Sequence, residues 1–346
     1  MIIVTREVRG ETGSFTEDEL LAVIRKVLSG EGPGVVVGPG DDAAVIETGK
    51  GHAVATADLL IEYVHFDRSL TSARDLGYKS ISVNVSDIAA MAASPRYALV
   101  SLALTRSVDA AWVVELYGGM LSACDEYAVS LVGGDLSRAE RLVISVTVVG
   151  EVRAGSAVLR SGARPGDRIV VTGSLGAAAG GLALARAGTE RAGDALTSEW
   201  GRDLLAAHFR PVARVGEAET LAQAGATAMM DVSDGLALDL SRLCAESAVG
   251  ARVDLQAIPV APGLERLVGV VSVDPLELAL SGGEDYELLA TIGEDEVSSA
   301  RAKLDERFGV RLTDIGQITE SGLRAVDERG QEVPLEPTGW DHFAQR

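Results

Sequence analysis

The chain has 346 residues, a formal charge of −20, 47% apolar residues and only 4% aromatic ones. At roughly 150 residues per domain that length predicts two domains, and cores of Ala, Val, Leu and Ile with 39 glycines suit an α/β architecture. The acidic balance excludes a general nucleic-acid or anionic-membrane binder, since both need basic patches.

No apolar run is long enough to span a membrane, and the N-terminus lacks the apolar core of a signal peptide. Cys124 and Cys244 form no CxxC pair and the histidines are scattered, which argues against zinc and for buried free thiols in a cytoplasmic protein.

Residues 1–14 carry no clear pattern. Phe15-Thr16-Glu17-Asp18-Glu19-Leu20 predicts a helix start. Thr16 caps, Glu19 returns the bond, and Phe15 staples to Leu20, with the helix running to about Gly30. Short strands over 35–37 and 43–46 flank Gly38-Pro39-Gly40-Asp41-Asp42, a bend that presents two carboxylates. A strand over 53–57 delivers Asp58. Ser72 caps the next helix, which carries Ser80, Asn84 and Asp87 along one stripe. Asp87 stands against Ile88-Ala89-Ala90-Met91-Ala92-Ala93, and a carboxylate on so apolar a helix needs a partner or a metal.

A strand over 97–104 and a helix over 107–127 follow, and then Leu131-Val132 enters Gly133-Gly134-Asp135. Two glycines there either let the backbone approach a ligand or make a plain turn. The strand over 142–152 closes the first domain, 1–152, and the second, 153–346, begins near Arg160-Ser161-Gly162. A strand over 168–172 leads into Gly173-Ser174-Leu175-Gly176. That turn lacks the Lys and Ser/Thr of a phosphate-binding loop and is better explained by close helix–sheet packing. Residues 187–200 are expected as a polar connection. The strand ending at Asp231 runs into Val232-Ser233-Asp234-Gly235 and a helix, so a strand again delivers one acid and a turn the next. Ser281-Gly282-Gly283-Glu284-Asp285-Tyr286-Glu287 is another acid-loaded glycine turn before a strand over 288–292. A helix over 294–308 and a strand over 313–319 precede the tail Gly339-Trp340-Asp341-His342-Phe343.

Asp-rich turns without a Cys or His cluster point to a hard cation bridging to phosphate, with magnesium the best fit. The expected chemistry is phosphoryl transfer or another ATP-driven step. No Ser-His or Cys-His pair stands out, as suits an acceptor that is itself an ionised phosphate.

Taken together, Gly40-Asp41-Asp42-Ala43-Ala44, Asp58 to His65-Phe66, Asn84-Val85-Ser86-Asp87-Ile88-Ala89-Ala90-Met91, Gly133-Gly134-Asp135, Asp231-Val232-Ser233-Asp234-Gly235-Leu236, Ser281-Gly282-Gly283-Glu284-Asp285-Tyr286-Glu287-Leu288 and Gly339-Trp340-Asp341-His342-Phe343 resemble, in order, the thiamine-monophosphate kinases of the aminoimidazole-ribotide-synthetase-like superfamily. The resemblance implies a two-domain α/β fold whose N-terminal sheet pairs across a homodimer into a barrel, followed by a C-terminal α/β sandwich. It implies ATP-dependent conversion of thiamine monophosphate to thiamine diphosphate by direct in-line transfer. By motif position, Asp41, Asp58, Asp87, Asp135, Asp231 and Asp234 hold magnesium, with Asp87, Asp135 and Asp231 catalytic. Tyr117, Gly134, Asp135, Arg160 and Ser233 contact ATP, and His65, Glu284 and Trp340 face thiamine monophosphate. Core packing for Tyr117, a half-buried His65, a junction salt bridge for Arg160 and a tail anchor for Trp340 are the structural alternatives, and Asp42 is left between a turn cap and an outer-sphere role. Tyr63 stands where the family usually has Gly, Leu136-Ser137 replace Thr-Thr, and Ala57 replaces a Thr. Other superfamily activities (aminoimidazole ribotide synthesis, hydrogenase-maturation dehydration, selenide phosphorylation) or a non-catalytic nucleotide-binding dimer are the alternatives. The maturation protein would end in a cysteine-bearing tail, and the selenide enzyme would carry a reactive residue near its start, where this chain has no Cys before Cys124.

Overall fold

The computed structural model describes Glu19, residues 33–38 and residues 40–343. Apart from Glu19, the predicted helix between Phe15 and Gly30 lies outside the described residues, as do Pro39 and residues 1–14.

Among the described residues the first domain is a six-stranded sheet with two helices on one face. Its elements are β1 (Val35–Val37), β2 (Ala44–Thr48), β3 (Gly51–Ile61), α1 (Ala73–Ala90), β4 (Ser94–Leu104), α2 (Ala110–Glu126), β5 (Ser130–Arg138) and β6 (Val143–Val152). The strand order is β1-β2-β3-β6-β4-β5. Only β4 and β5 run parallel, because α2 crosses between them. Ser72 caps α1 by accepting the Asp75 N–H, as its spacing predicts. Reciprocal glycines let α1 and α2 cross backbone to backbone: a Cβ on Gly77 would lie 1.9 Å from the Leu116 carbonyl oxygen, and one on Gly119 1.8 Å from that of Arg74. Val54, Val100 and Val146 bury the helix-side face of the sheet against Ile81 and Ile88. The other face exposes Ile46, Leu59, Tyr97 and Leu99.

The second domain contains β7 (Arg168–Thr172), α3 (Ala177–Ala192), α4 (Glu199–Phe209), α5 (Val215–Gln223), β8 (Ala228–Asp231), α6 (Leu236–Ser247), β9 (Gly250–Asp254), α7 (Leu264–Leu267), α8 (Pro275–Ser281), β10 (Leu288–Ile292), α9 (Glu294–Phe308), β11 (Leu312–Thr319), β12 (Leu323–Val326) and β13 (Glu332–Pro334). Its seven strands are ordered β13-β12-β9-β11-β7-β10-β8. One face packs on Leu236, Leu240 and Leu243 of α6, the other on Leu221 of α5 and Ala300 and Leu304 of α9. Ala89 and Ala90 of α1 enter that last cluster, so the end of the first domain's helix is also core for the second.

Residues 187–200 are not a polar connection. They form the end of α3, a 3-10 turn over Gly193–Thr197 and the Ser198-capped start of α4. Their polar residues face outward while Leu184, Ala192 and Leu204 bury together, a pairing visible only once the helices meet. Cys124 and Cys244 are buried free thiols. Among the described residues no helix is long and apolar enough to cross a membrane.

Candidate active site

The C-terminal end of α1 is wedged between the two sheets, and this brings acids together from distant segments. Carboxylate oxygens of Asp42, Asp87 and Asp231 lie within 4.8 Å of one another. Asp231 ends the buried strand β8, and the Ser86 hydroxyl of α1 donates to it. The Thr56 hydroxyl of β3 donates to Asp87 at 2.7 Å, and Asn84 accepts the Asp58 N–H at 3.0 Å. The stripe read on α1 therefore faces β3, with Asp58 beside Asp87. Burial above all, then the charges of neighbouring acids, raise Asp87 and Asp231 well above the usual carboxylate range. Asp58 is raised to about 6 by burial and by Asp234. Oxygen-only donors that repel one another and lack enough cations fit a hard divalent ion.

Of the two acids in the opening turn, the structure brings Asp42 rather than Asp41 to this cluster. Asp42 also takes a bidentate pair from Arg160, at 2.6 and 3.2 Å. Asp41 instead accepts the Arg160 backbone N–H, and burial followed by Asp42 raises it to about 6. Arg160 thus forms an ion pair at the domain junction, the alternative its position allowed.

The loop after β8 is organised by Asp239, which nothing in the motif reading singled out. Its carboxylate accepts the N–H groups of Ser233, Asp234 and Gly235. Arg242 pairs with Asp234 and Asp239.

The 281–287 turn folds onto this loop: Glu284 N–H donates to the Ser233 carbonyl, and Tyr286 N–H to that of Val232. Glu284 adopts φ 61° and directs its carboxylate to Lys79 Nζ at 2.8 Å, with His208 Nδ1 at 3.2 Å. Burial would raise Glu284, but Lys79 and His208 outweigh it and hold it down at about 2. His65 neighbours Glu284 and stacks edge-on against His342 at 4.8 Å. Burial first, then His342, lower His65 to about 4, so it is neutral at pH 7. Its Nδ1 accepts the Ile61 N–H, leaving the proton on Nε2. Trp340 donates its indole N–H to His342 and its backbone N–H to the Asp234 carbonyl. His65 and Trp340 both meet His342, and Glu284 neighbours His65, so the three lie in one neighbourhood. Tyr286 is buried near both Glu284 and the acids Asp58, Asp231 and Asp87, and burial with their charges keeps its hydroxyl protonated.

Three predicted nucleotide contacts lie elsewhere in the chain. Tyr117 packs half-buried on the first core. A Cβ on Gly134 would lie 1.7 Å from the Val100 carbonyl oxygen, so sheet packing alone requires that glycine. Asp135 sits in register with Ser101, on the exposed face opposite α1. The Gly173–Gly176 turn holds a carboxylate of the protein itself: Asp285 accepts the N–H groups of Gly176 and Ala178. Lys79, His208 and Tyr286 are the site residues the sequence reading gave no role, and Asp42, left there between a turn cap and an outer-sphere role, is the acid of its turn that joins the cluster. The DLGYKS stretch around Lys79 resembles an ordinary amphipathic helix, and only its buried position signals a role.

Residues 40–152 match the model of the AIR synthase related protein N-terminal domain, and residues 164–328 that of its C-terminal domain. The thiamine-monophosphate kinase of Bacillus subtilis (strain 168) is 34% identical over 313 residues, 89% of this chain and 94% of that protein. That of Aquifex aeolicus (strain VF5) is 36% identical over 333 residues, 96% of this chain and 99% of that protein. Among solved structures, AaThiL complexed with AMPPCP and TMP superposes with a TM-score of 0.83 at 34% identity, covering 95% of this chain and 97% of that one. The hydrogenase maturation protein HypE in complex with ATP shares the fold, with a TM-score of 0.67 at 20% identity and 97% of each chain covered. With its two-sheet fold, its inter-domain acid cluster and relatives that match it almost end to end, this chain belongs to the thiamine-monophosphate kinase family of AIR synthase related proteins.

Proposed function

We propose that this protein transfers the γ-phosphoryl group of ATP directly to thiamine monophosphate, giving ADP and thiamine diphosphate. An oxygen of the acceptor phosphate attacks the γ-phosphorus in line, and the bond to the β–γ bridging oxygen breaks. The acceptor oxygen is already ionised near neutral pH, so no general base is needed. The observation that carries this reading is the Asp42, Asp87 and Asp231 cluster, drawn from both domains, with His65, Glu284 and Trp340 grouped near it.

Asp42, Asp87 and Asp231 would hold magnesium, with Asp58 and Asp234 beside them, while Asp41 fixes the Arg160 backbone. Bound magnesium supplies charge neutralisation between two anionic phosphates. The protein's own groups do the positioning. Ser86 and Thr56 orient the carboxylates of Asp231 and Asp87. Glu284 and the Trp340 face favour the cationic thiazolium, and neutral His65 offers its Nε2 proton as a donor.

A homodimer belongs to the same reading. The exposed row of Ile46, Leu59, Tyr97 and Leu99 supports pairing of two first-domain sheets into a barrel. Asp135, on that outward side, together with Gly134 and Tyr117, would then serve nucleotide binding near the dimer seam. Its use of ATP supports a cytoplasmic location. The test is incubation with ATP, magnesium and thiamine monophosphate, with products read by mass spectrometry. ATP consumption without thiamine diphosphate would overturn the proposal. For the dimer, Leu99→Arg is expected to halve the mass measured by light scattering, and an unchanged mass would argue against the barrel.

A further inference from the structure

Lys79 is the buried cation of α1, 4% exposed, and it reaches from the first domain into the second. Its ammonium group lies 2.8 Å from Glu284 Oε1 and donates to the His208 backbone carbonyl at 3.0 Å. The same segment is gripped twice more from the first domain: Ser82 of α1 donates to the Pro211 carbonyl, and the Tyr127 hydroxyl accepts the Ala213 N–H. Arg210 lies over the Tyr78 ring at 4.2 Å. Glu284 itself sits in a strained left-handed conformation, φ 61°, which does not set its carboxylate's direction unaided. Asp87 stands eight residues along the same helix, about 12 Å at 1.5 Å per residue. One rigid rod thus carries both the partner of the acceptor-side carboxylate and a member of the acid cluster.

We propose that Lys79 is a positioning residue for acceptor recognition: it ties the Glu284 carboxylate to α1, fixing where the cationic ring is held relative to the Asp42, Asp87 and Asp231 cluster. The proposal rests on thiamine monophosphate being the acceptor. Lys79 touches Glu284 rather than the reacting atoms, so its effect falls on one substrate. A merely structural lysine would affect ATP and the acceptor alike.

The experiment is steady-state kinetics of Lys79→Met, with ATP and thiamine monophosphate varied separately, and thermal unfolding as the folding control. KM for thiamine monophosphate is expected to rise about tenfold or more, with KM for ATP within about twofold. Lys79→Arg, which keeps the charge, should recover most of the loss. Lys79→Met combined with Glu284→Gln should cost no more than the worse single change, because the two act as one unit. Equal rises in both KM values, an unchanged KM for the acceptor, or additive losses in the double variant would each overturn the proposal. Should Lys79→Met not fold, Lys79→Gln keeps a donor for the His208 carbonyl and is held to the same split. Wild-type protein inactive on thiamine monophosphate would sink the reading of the reaction and this proposal with it; active wild type with an unsplit Lys79→Met sinks this proposal alone.

Discussion

At Glu284 burial is answered from within the protein: Lys79 and His208 hold the carboxyl down at about 2. At Asp87 and Asp231 burial is compounded by neighbouring acids, and both are pushed well above the ordinary range. Arg160 offers the cluster one guanidinium, committed to Asp42. The same residue types, on adjoining segments, are thus compensated at Glu284 and left short of positive charge in the cluster. A self-compensated carboxylate is ready to meet an organic cation. An uncompensated cluster is ready to exchange protons for metal ions.

The sharpest way to break this contrast is Asp87→Asn. It removes the charge at the centre of the cluster, and kcat in an ADP-release assay is expected to fall by about a thousandfold. The metal-free variant should unfold no earlier than wild type, since the lost group was costly to ionise. Ordinary turnover would take Asp87 out of the site.

Second, the neighbours Asp41 and Asp42 should separate. Asp42→Asn leaves Arg160 buried without its partner, at a cost of about 3 kcal/mol, and it should also lose turnover. Asp41→Asn loses only an acceptor for one backbone N–H, about 1 kcal/mol, and should stay active. Denaturant unfolding and kinetics of the pair measure this, and equal effects would erase the distinction.

A third test uses pH. Asp41 and Asp58, each raised to about 6, bind protons more tightly in the folded than in the unfolded chain. The stability they contribute is complete below their unfolded value of about 4 and is lost as pH rises through about 6. At Asp58, beside the cluster, bound magnesium would reverse its part of that loss by replacing the proton, whereas Asp41, held by the Arg160 backbone, would not respond. The gain in Tm on adding magnesium should therefore grow between about pH 5 and pH 7. A gain that shrinks with pH would contradict an uncompensated cluster.

The smallest effect lies at Tyr63, in the segment leading to His65. Tyr63 adopts φ 68° and is 69% exposed, a backbone position that favours glycine. Tyr63→Gly removes that strain but loosens the unfolded chain, for a net gain of about 0.5 kcal/mol. A Tm shift of a degree or two upward would show that the left-handed backbone at this position carries strain; a clear loss would mean that the Tyr63 ring has a contact of its own.

Much of this was legible because it is local. The Ser72 cap, the stripe of Ser80, Asn84 and Asp87, and the strand that ends on Asp231 follow from periodicity and turn chemistry, whereas the strand expected to stop before Asp58 runs on to Ile61, so that Asp58 lies within it. α4 and α5 were not legible: both are short, with apolar positions that make sense only against α3 and α9. Asp239 was hidden because an acid in the first turn of a helix is ordinary, and its three backbone partners appear only when the loop closes over it.

The order of acid-bearing turns, the α/β character and the resemblance to one kinase family were determined by the sequence alone, since each depends on residues a few positions apart. Tertiary structure decided which of two adjacent acids joins the cluster, because Arg160, 118 residues from Asp42, makes that choice. It decided that Lys79 meets Glu284, across the domain junction, and that Asp135 faces away from Asp87. Burial, charge compensation and sidedness are sums over distant neighbours, and no window along the chain contains them.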